Sequence, residues 1–309
     1  MFELTTTLGL KILPLYITIL LGYIIVRFFN SKREDMASLL IYFIGPVVIF
    51  MASYKVQLNL AVATLPVLLF VLSSSLALIS LRVSKNIFHD NTKNILAFSA
   101  GTGNTGYFGI PLAIILLSED LANIYIFTVL ASLLYESTVG FFVVAKGHYS
   151  IQQSLIKIVK LPSIYALILG LTCNVLKLEF SNDLLNYLEY FKGAYTILGM
   201  MMIGMGLKGL AHVGIDKLFM GFAFGIKFII YPLTILCIIW VDSTFFHFFT
   251  SDLYRVMFIF AIVPMAGNTV AVASLLNVHP EKASLAVVVS AFVSIFTIPV
   301  MVAMFLDTF

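Results

Sequence analysis

The sequence predicts an all-α polytopic membrane protein, with ten membrane-spanning helices arranged as two inverted five-helix repeats. Three observations support this fold class: an apolar composition, ten membrane-length hydrophobic segments, and a Gly-Asn-Thr tripeptide that occurs in each half of the chain. Hydrophobic residues make up 61% of the 309 residues and charged residues only 11%, whereas soluble domains carry about 25% charged residues. Most of the chain is therefore expected to lie within a lipid bilayer.

Each predicted span is a mostly apolar segment, and about 20 such residues cross about 30 Å of hydrocarbon. The first half of the chain holds five spans, at residues 8–28, 36–54, 60–81, 94–117 and 121–145. The second half holds five more, at residues 161–176, 187–207, 218–240, 254–277 and 282–306. Because five is an odd number, the second half must enter the membrane upside down relative to the first. We place the two repeats at residues 1–150 and 151–309.

Lysine and arginine residues are distributed unevenly between the two sides of the predicted membrane. The N-terminal stretch, the even-numbered loops and the C-terminal tail hold five: Lys11, Lys55, Lys177, Lys192 and Arg255. The odd-numbered loops hold twelve: Arg27, Lys32, Arg33, Arg82, Lys85, Lys93, Lys146, Lys157, Lys160, Lys208, Lys217 and Lys282. Since positive residues collect in cytoplasmic loops, both termini are predicted to be extracytoplasmic in a multi-pass protein of the plasma or inner membrane.

Span four contains glycines and a proline where a membrane helix should be continuous. The stretch includes Gly103, Asn104, Thr105, Tyr107 and Pro111. Each glycine costs a helix about 1 kcal/mol and a proline about 3 kcal/mol, and an unpaired backbone group in lipid costs several kcal/mol. We therefore predict a broken helix in the protein interior, with the proline in the opening turn of its outer half, where the missing N–H is no loss.

Span nine repeats the tripeptide and is predicted to break in the same way, at Pro264, Gly267, Asn268 and Thr269. The N–H groups that open each second half-helix lack helical partners and carry partial positive charge. Two such ends meeting near the bilayer midplane, together with the amides of Asn104 and Asn268, favour an organic anion as ligand. Two alternatives remain: the Asn and Thr side chains only pair with backbone groups that the breaks release, or the glycines only pack helices together.

Two ionisable residues lie deep inside predicted spans and are therefore functional candidates. Glu136 lies nine residues from the cytoplasmic end of span five, a depth of about 14 Å at helical rise. Lys227 lies ten residues from the cytoplasmic end of span eight, a depth of about 15 Å. We hypothesise that they pair in one state of a transport cycle and that Glu136 carries a proton. Alternatively, Lys227 extends towards the inner surface and Glu136 joins helices through static hydrogen bonds.

Three motifs resemble the auxin efflux carrier family, and most closely its short prokaryotic members, which are malate or malonate permease-like. They are Gly103-Asn-Thr-Gly-Tyr-Phe-Gly-Ile-Pro111, Val263-Pro-Met-Ala-Gly-Asn-Thr-Val-Ala and Ile298-Pro299. The resemblance implies a scaffold domain of spans one, two, six and seven, and an elevator-like transport domain of spans three to five and eight to ten. It also implies a carboxylate ligand held by Asn104 and Asn268 where the broken helices cross, with Pro111 and Pro264 maintaining the breaks. The family's scaffold often forms a dimer interface, so a homodimer is a further expectation.

These features favour a secondary active transporter that carries small organic anions, such as malate, malonate or an auxin-like acid, by symport with H⁺ or Na⁺. A sodium/proton antiporter is the alternative. In an antiporter, however, the broken helices should carry acidic side chains, whereas here they carry the amides of asparagine. A receptor should have a soluble output domain, and the sequence predicts no such domain. An intramembrane enzyme should have paired catalytic groups deep in the membrane, and the sequence predicts no such pair. We expect no cofactor or metal, because the His and Cys residues lack ligand spacing, and no nucleic-acid partner, because the net charge is only +3.

Overall fold

The structure, a computed structural model, describes residues 2–29, 31–145, 161–206 and 214–306. These ranges contain helices and short connections and no β-strand, so the all-helical prediction is confirmed for them. The predicted boundary between the repeats, at residues 150 and 151, lies outside them. The helices are α1 (Phe2–Phe28), α2 (Arg33–Leu39, Leu40–Ile44 and Gly45–Lys55), α3 (Leu60–Ser84), α4 (Thr92–Ala100), α5 (Thr105–Gly109 and Ile110–Leu116), α6 (Glu119–Thr128, Leu130–Tyr135, Glu136–Gly140 and Phe141–Ala145), α7 (Pro162–Val175), α8 (Asn182–Met205), α9 (Lys217–Gly225, Ile226–Ile230, Tyr231–Val241 and Asp242–Phe246), α10 (Ser251–Ile262), α11 (Asn268–Leu275) and α12 (Pro280–Phe305).

Six of the described helices are long and apolar enough to cross a membrane: α1, α2, α3, α6, α9 and α12. Helix α7 is apolar but shorter, with 14 residues. Some ends differ from the predicted spans, because hydropathy does not detect caps. Helix α8, for example, begins well before residue 187, since the Ser181 side chain accepts a hydrogen bond from the Leu184 N–H and starts the helix there.

Helices α4 and α10 form the centre of the molecule. In α10 every residue from Val256 to Ile262 is buried, and in α4 every residue from Asn94 to Ala100 is buried. By contrast, α1, α3 and α7 expose large apolar side chains such as Leu20, Val67 and Leu169. A helix with apolar side chains on its outer face suits lipid, whereas a helix that ends at mid-depth must be enclosed by protein.

Two close helix pairs lie beside this centre. Helix α1 packs on α8 at two glycines, where a side chain on Gly22 would collide with the backbone of Met201, and one on Gly204 with the backbone of Ile19. Helix α2 packs on α7, where the Asn174 side chain donates hydrogen bonds to backbone carbonyls at the end of α2. A side chain on Gly170 of α7 would also collide with the Phe50 carbonyl of α2, so in both pairs a glycine lets the backbones approach closely.

Within the part of the chain that the structure describes, five short helix segments are π-helical turns, and three of them precede a proline. The turn Leu40–Ile44 comes before Pro46, Thr105–Gly109 before Pro111, and Ile226–Ile230 before Pro232. A proline ring clashes with the carbonyl four residues earlier in a regular helix, and the wider turn moves that carbonyl away. Prolines 14, 66 and 299 lie in α1, α3 and α12 without a π turn, so proline alone does not produce one.

Candidate functional site

The two breaks in the helices meet each other. Between α4 and α5 the chain leaves helical geometry over residues 101–104, and between α10 and α11 over residues 263–267. The Asn104 N–H donates to the Pro264 carbonyl over 2.8 Å. A backbone hydrogen bond therefore joins the tripeptide region of the first half of the chain to that of the second.

Other backbone groups freed by the breaks also have partners. The Met265 N–H donates to the Ser290 hydroxyl over 3.0 Å, and the Tyr135 hydroxyl donates to the Phe98 carbonyl over 3.0 Å. Both hydroxyl groups come from neighbouring helices, α12 and α6. Because a bilayer offers no water for such groups, pairing from the surrounding helices is what makes the breaks tolerable at depth.

A cavity of about 370 Å³ adjoins the breaks, within the size range of small-ligand pockets. The predicted site residues that line it are Gly103, Asn104, Thr105, Tyr107, Gly267, Asn268 and Glu136. Serines 132, 137 and 163 add polar groups, and the remaining lining is mostly apolar. The lining described by the structure contains no lysine or arginine, so an anion there would be held by amides, hydroxyls and backbone N–H groups.

Glu136 connects both broken helices through one carboxylate. The Thr102 hydroxyl donates to its Oε1 over 2.5 Å, and the Asn268 side-chain amide donates to its Oε2 over 2.5 Å. Glu136 itself lies in a π-helical turn of α6, a local irregularity that is common at functional sites. The carboxylate is thus fixed at the wall of the cavity, between a residue of the first break and the first residue of α11.

Lys227 does not pair with Glu136 in this structure. The Lys227 side chain is buried, with 1% of the residue exposed, and its Nζ has no hydrogen-bond partner among the described residues. It lies 4.5 Å from the centroid of the Tyr231 ring and contacts Gly103. It therefore stays at the break and does not extend to the inner surface, while the hypothesis of a pair in another state remains a prediction.

The remaining predicted residues either line the cavity or support the helices around it. The Thr105 hydroxyl donates to the Ser132 hydroxyl over 2.9 Å, and the Tyr107 ring stacks on Tyr195 with centroids 5.8 Å apart. Pro111 is buried in the first turn of the regular part of α5. Four predicted residues, Pro111, Pro264, Thr269 and Lys227, do not line the cavity.

Several contributors were not predicted from the sequence. Thr102 binds the Glu136 carboxylate, and Ser132 accepts a hydrogen bond from Thr105. Tyr195 stacks on the Tyr107 ring, and Ser290 accepts a hydrogen bond from the backbone of the second break. Thr102 directly precedes the first Gly-Asn-Thr tripeptide, and this position in the sequence could have identified it as a site residue. Tyr195 and Ser290 come from distant parts of the chain, where their residue types are common in membrane helices.

The described residues contain no group of three or more His, Cys, Asp or Glu side chains placed to hold a metal ion. What the site offers instead is a pair of helix breaks, two amides, several hydroxyls and one carboxylate around a small cavity. Such an arrangement can bind a small polar molecule and exchange a proton at Glu136.

Comparison with known proteins identifies the family to which the chain belongs. A search among curated proteins gave no match. A family model described as "membrane transport protein" matches residues 8–302, a range that includes both breaks, Glu136 and Lys227. The chain therefore belongs to this membrane transport protein family, the auxin efflux carrier family that its motifs resemble, and is a multi-pass membrane transporter.

Proposed function

We propose that the protein is a secondary transporter of small organic anions, with carboxylates such as malate, malonate or an auxin-like acid as its substrates. The observation that carries the proposal is the meeting of the two breaks beside the cavity, joined by the hydrogen bond from Asn104 to Pro264. Helices α5 and α11 begin at this point, and the N–H groups of such half-helix ends favour anionic ligands.

The transport mechanism that we propose is an elevator-type alternating access of two domains built from ten spans in two inverted repeats. Helices α4 with α5, and α10 with α11, would then be spans four and nine. The close packing of α1 on α8 and of α2 on α7 supports a scaffold of these four helices. The remaining helices, which carry both breaks, would move against it with the substrate.

The direction of the cavity supports an inward-facing state. Its lining includes Phe141, Leu161 and Ser163, which lie at the predicted cytoplasmic ends of spans five and six. At the opposite ends of the helices, Lys55 of α2 pairs with Glu119 of α6 over 2.9 Å and with Glu189 of α8 over 2.7 Å. We propose that these ion pairs close the extracytoplasmic side.

Charge at the site favours proton coupling. A carboxylate substrate in the cavity would lie beside the Glu136 carboxylate, and two neighbouring carboxylates cannot both be ionised without a large penalty. We propose that Glu136 binds a proton when the substrate enters and releases it on the other side. The Asn268 amide, which now donates to Glu136, would then be free to donate to the substrate.

Binding to purified protein tests this proposal. A panel of mono- and dicarboxylates, with indole-3-acetate included, would be measured by calorimetry on the wild type, Asn104→Ala and Asn268→Ala. Loss of one hydrogen bond to a charged ligand costs about 1.5–3 kcal/mol, so each variant should bind about 10- to 100-fold more weakly. The control is Asn86→Ala, because Asn86 is exposed and lies outside the cavity.

The test also separates this proposal from the antiporter alternative, which the Glu136 carboxylate in the cavity specifically favours. Carboxylate binding by the wild type that is unchanged in both cavity variants would overturn the assigned site. If the wild type binds no carboxylate but exchanges sodium for protons across a vesicle membrane, the protein is an antiporter.

A further inference from the structure

Tyr195 brings a hydroxyl group from a distant helix to the cavity beside the first break. It lies in α8, and it lines the cavity together with Gly106 and Tyr107 of α5. A Cβ added at Gly106 would lie only 3.0 Å from the Tyr195 Oη. The hydroxyl is therefore next to the first turn of α5, which Asn104 precedes.

Packing holds the Tyr195 ring without using its hydroxyl. The ring stacks on Tyr107 with 28° between the ring planes and 5.8 Å between the centroids. A Cβ added at Gly45 of α2 would lie 3.5 Å from the Tyr195 Cε2, so a glycine makes room for the ring. A phenylalanine at position 195 would make the same contacts, and packing therefore does not account for the hydroxyl.

This hydroxyl has no hydrogen-bond partner among the residues that the structure describes, although only 9% of Tyr195 is exposed. A buried tyrosine hydroxyl usually has a partner, because an unpaired one has given up water without a replacement. In the described part of the chain, the other buried tyrosines each pair with a protein group: Tyr125, Tyr135, Tyr231 and Tyr254. Tyr195 is the exception, and it adjoins the cavity.

Two more donors close to the first break are unpaired in the described structure. The buried Asn104 side chain does not cap α5 and makes no other hydrogen bond to a described residue. The Gly106 N–H belongs to the opening turn of α5, where N–H groups lack helical partners, and it donates to no described group. An amide, a backbone N–H and a hydroxyl thus line one cavity, and a carboxylate oxygen, which only accepts, matches such a set.

We propose that Tyr195 is a substrate-binding residue, which donates its hydroxyl hydrogen to a carboxylate oxygen of the bound anion. This inference rests on the proposed function and deepens it. Asn104 and Gly106 belong to the proposed transport domain, whereas α8 belongs to the proposed scaffold. The anion is then held from both domains in the inward-facing state, and it loses the Tyr195 contact when the domains move against each other.

The experiment combines calorimetry and thermal unfolding of the detergent-purified wild type and Tyr195→Phe. The probe is malonate, malate or indole-3-acetate, whichever the wild type binds most tightly. Tyr195→Phe should bind it about 10- to 100-fold more weakly, because a hydrogen bond to a charged group is lost. Without the probe, the variant should unfold at the same temperature as the wild type or at a higher one, because the hydroxyl has no partner within the protein.

The matched control is Tyr187→Phe, since Tyr187 lies on the same helix, is exposed and does not line the cavity. It should resemble the wild type in both measurements. Equal binding by Tyr195→Phe and the wild type would overturn the proposal, because the hydroxyl would then contact only water. A lower unfolding temperature of Tyr195→Phe without the probe would also overturn it, because the hydroxyl would then support the fold.

Failure of this inference is distinguishable from failure of the proposed function. If the wild type binds a carboxylate and Tyr195→Phe binds it equally well, the proposed function stands and only the role of Tyr195 is rejected. If the wild type binds none of the three carboxylates, both proposals are rejected together.

Discussion

At the scale of single residues, Glu136 connects more parts of the site than any other predicted side chain. Its two oxygens accept from Thr102 and from Asn268, residues on the two different broken helices. Since both partners donate, the carboxylate form fits this arrangement. Protonation would replace one acceptor by a donor and weaken the connection, which gives a physical route from proton binding to movement.

The first prediction concerns this carboxylate. Wild-type uptake should rise as the pH on the substrate side falls from about 8 to about 6, because the protonated form accepts the anion. Glu136→Gln, which resembles the protonated form, should still bind the substrate but should lose the pH dependence and the ability to concentrate it. Initial uptake rates across this pH range check the prediction.

Glu179→Gln is the control for general loss of an acid, because Glu179 is exposed and lies outside the cavity. It should retain the pH dependence of uptake. A Glu136→Gln variant with the same pH profile as the wild type would remove Glu136 from the coupling mechanism.

Contacts such as that of Glu136 with Asn268 show where sequence reasoning stops. The two residues are 132 positions apart, and nothing local to either one specifies the other. The depth of Glu136 and the unusual amide in a membrane helix both mark functional candidates. The hydrogen-bond partner of each residue depends on how the helices pack, and this packing cannot be derived from a single sequence.

At the scale of helices, local chemistry was more informative. The glycines around Asn104 and the proline at position 264 predict where regular helix ends, since their effects act within one turn. The π turns were not predicted. Four of the five lie at the site, in α2, α5, α6 and α9, where they place Leu40, Thr105, Glu136 and Lys227. The recurring proline after three of them was the local signal.

The second prediction concerns the packing of α1 on α8. Gly204→Ala should destabilise the protein by roughly 1–3 kcal/mol, the usual effect of overpacking, because the new Cβ would collide with the Ile19 carbonyl and approach the Tyr23 N–H to 2.9 Å. Thermal unfolding in detergent measures the change. Gly221→Ala is the matched control, since a Cβ there meets nothing within 4 Å; an equal effect in both variants would contradict the packing account.

At the scale of the whole molecule, two charged clusters differ in what they connect. The cluster around Lys55 joins α2 and α8 to Glu119 of α6, and Lys192 of α8 donates to Asn123 of α6 over 3.0 Å. It therefore crosses between the two proposed domains. The second cluster, around Lys282, joins the beginnings of α4, α9 and α12, which all belong to the proposed transport domain.

The third prediction follows from the cluster that crosses the domains. A reducible bismaleimide cross-link between Lys55→Cys and Glu119→Cys, on a background with Cys173 and Cys237 replaced by alanine, should stop uptake, because the two domains must separate there. Reduction should restore it. Uptake into proteoliposomes before and after cross-linking is the measurement.

The matched control links Lys55→Cys to Glu189→Cys, which both lie in the proposed scaffold and whose native side chains are 2.7 Å apart. This cross-link, made with the same reagent, should leave uptake intact. If both cross-links block uptake, or neither does, the proposed division into domains is wrong.

The fourth prediction concerns acid stability at the second cluster. The Lys282 ammonium, 2.7 Å from Asp216, holds the pKa of that carboxyl below its ordinary value. A lowered folded-state pKa means that the contribution to stability is complete above the unfolded pKa, about 3.9, and is lost as the pH falls through the folded value. Lys282→Met should therefore lower the unfolding temperature at neutral pH, by the small amount typical of ion pairs that solvent still reaches.

The difference between Lys282→Met and the wild type should shrink below about pH 4, because Asp216 is then losing its charge. Unfolding curves in detergent between about pH 3 and pH 7 provide the comparison. A difference that stays constant through this range would mean that Lys282 stabilises the protein by packing and not by its charge.

The most direct test of the central claim is uptake of radiolabelled malonate and malate into proteoliposomes under an inward proton gradient. The account predicts that the wild type accumulates at least one of these carboxylates, and that Asn104→Ala does so far more slowly while Asn86→Ala is unaffected. Absence of uptake for every carboxylate tested, together with exchange of sodium for protons in the same vesicles, would contradict it.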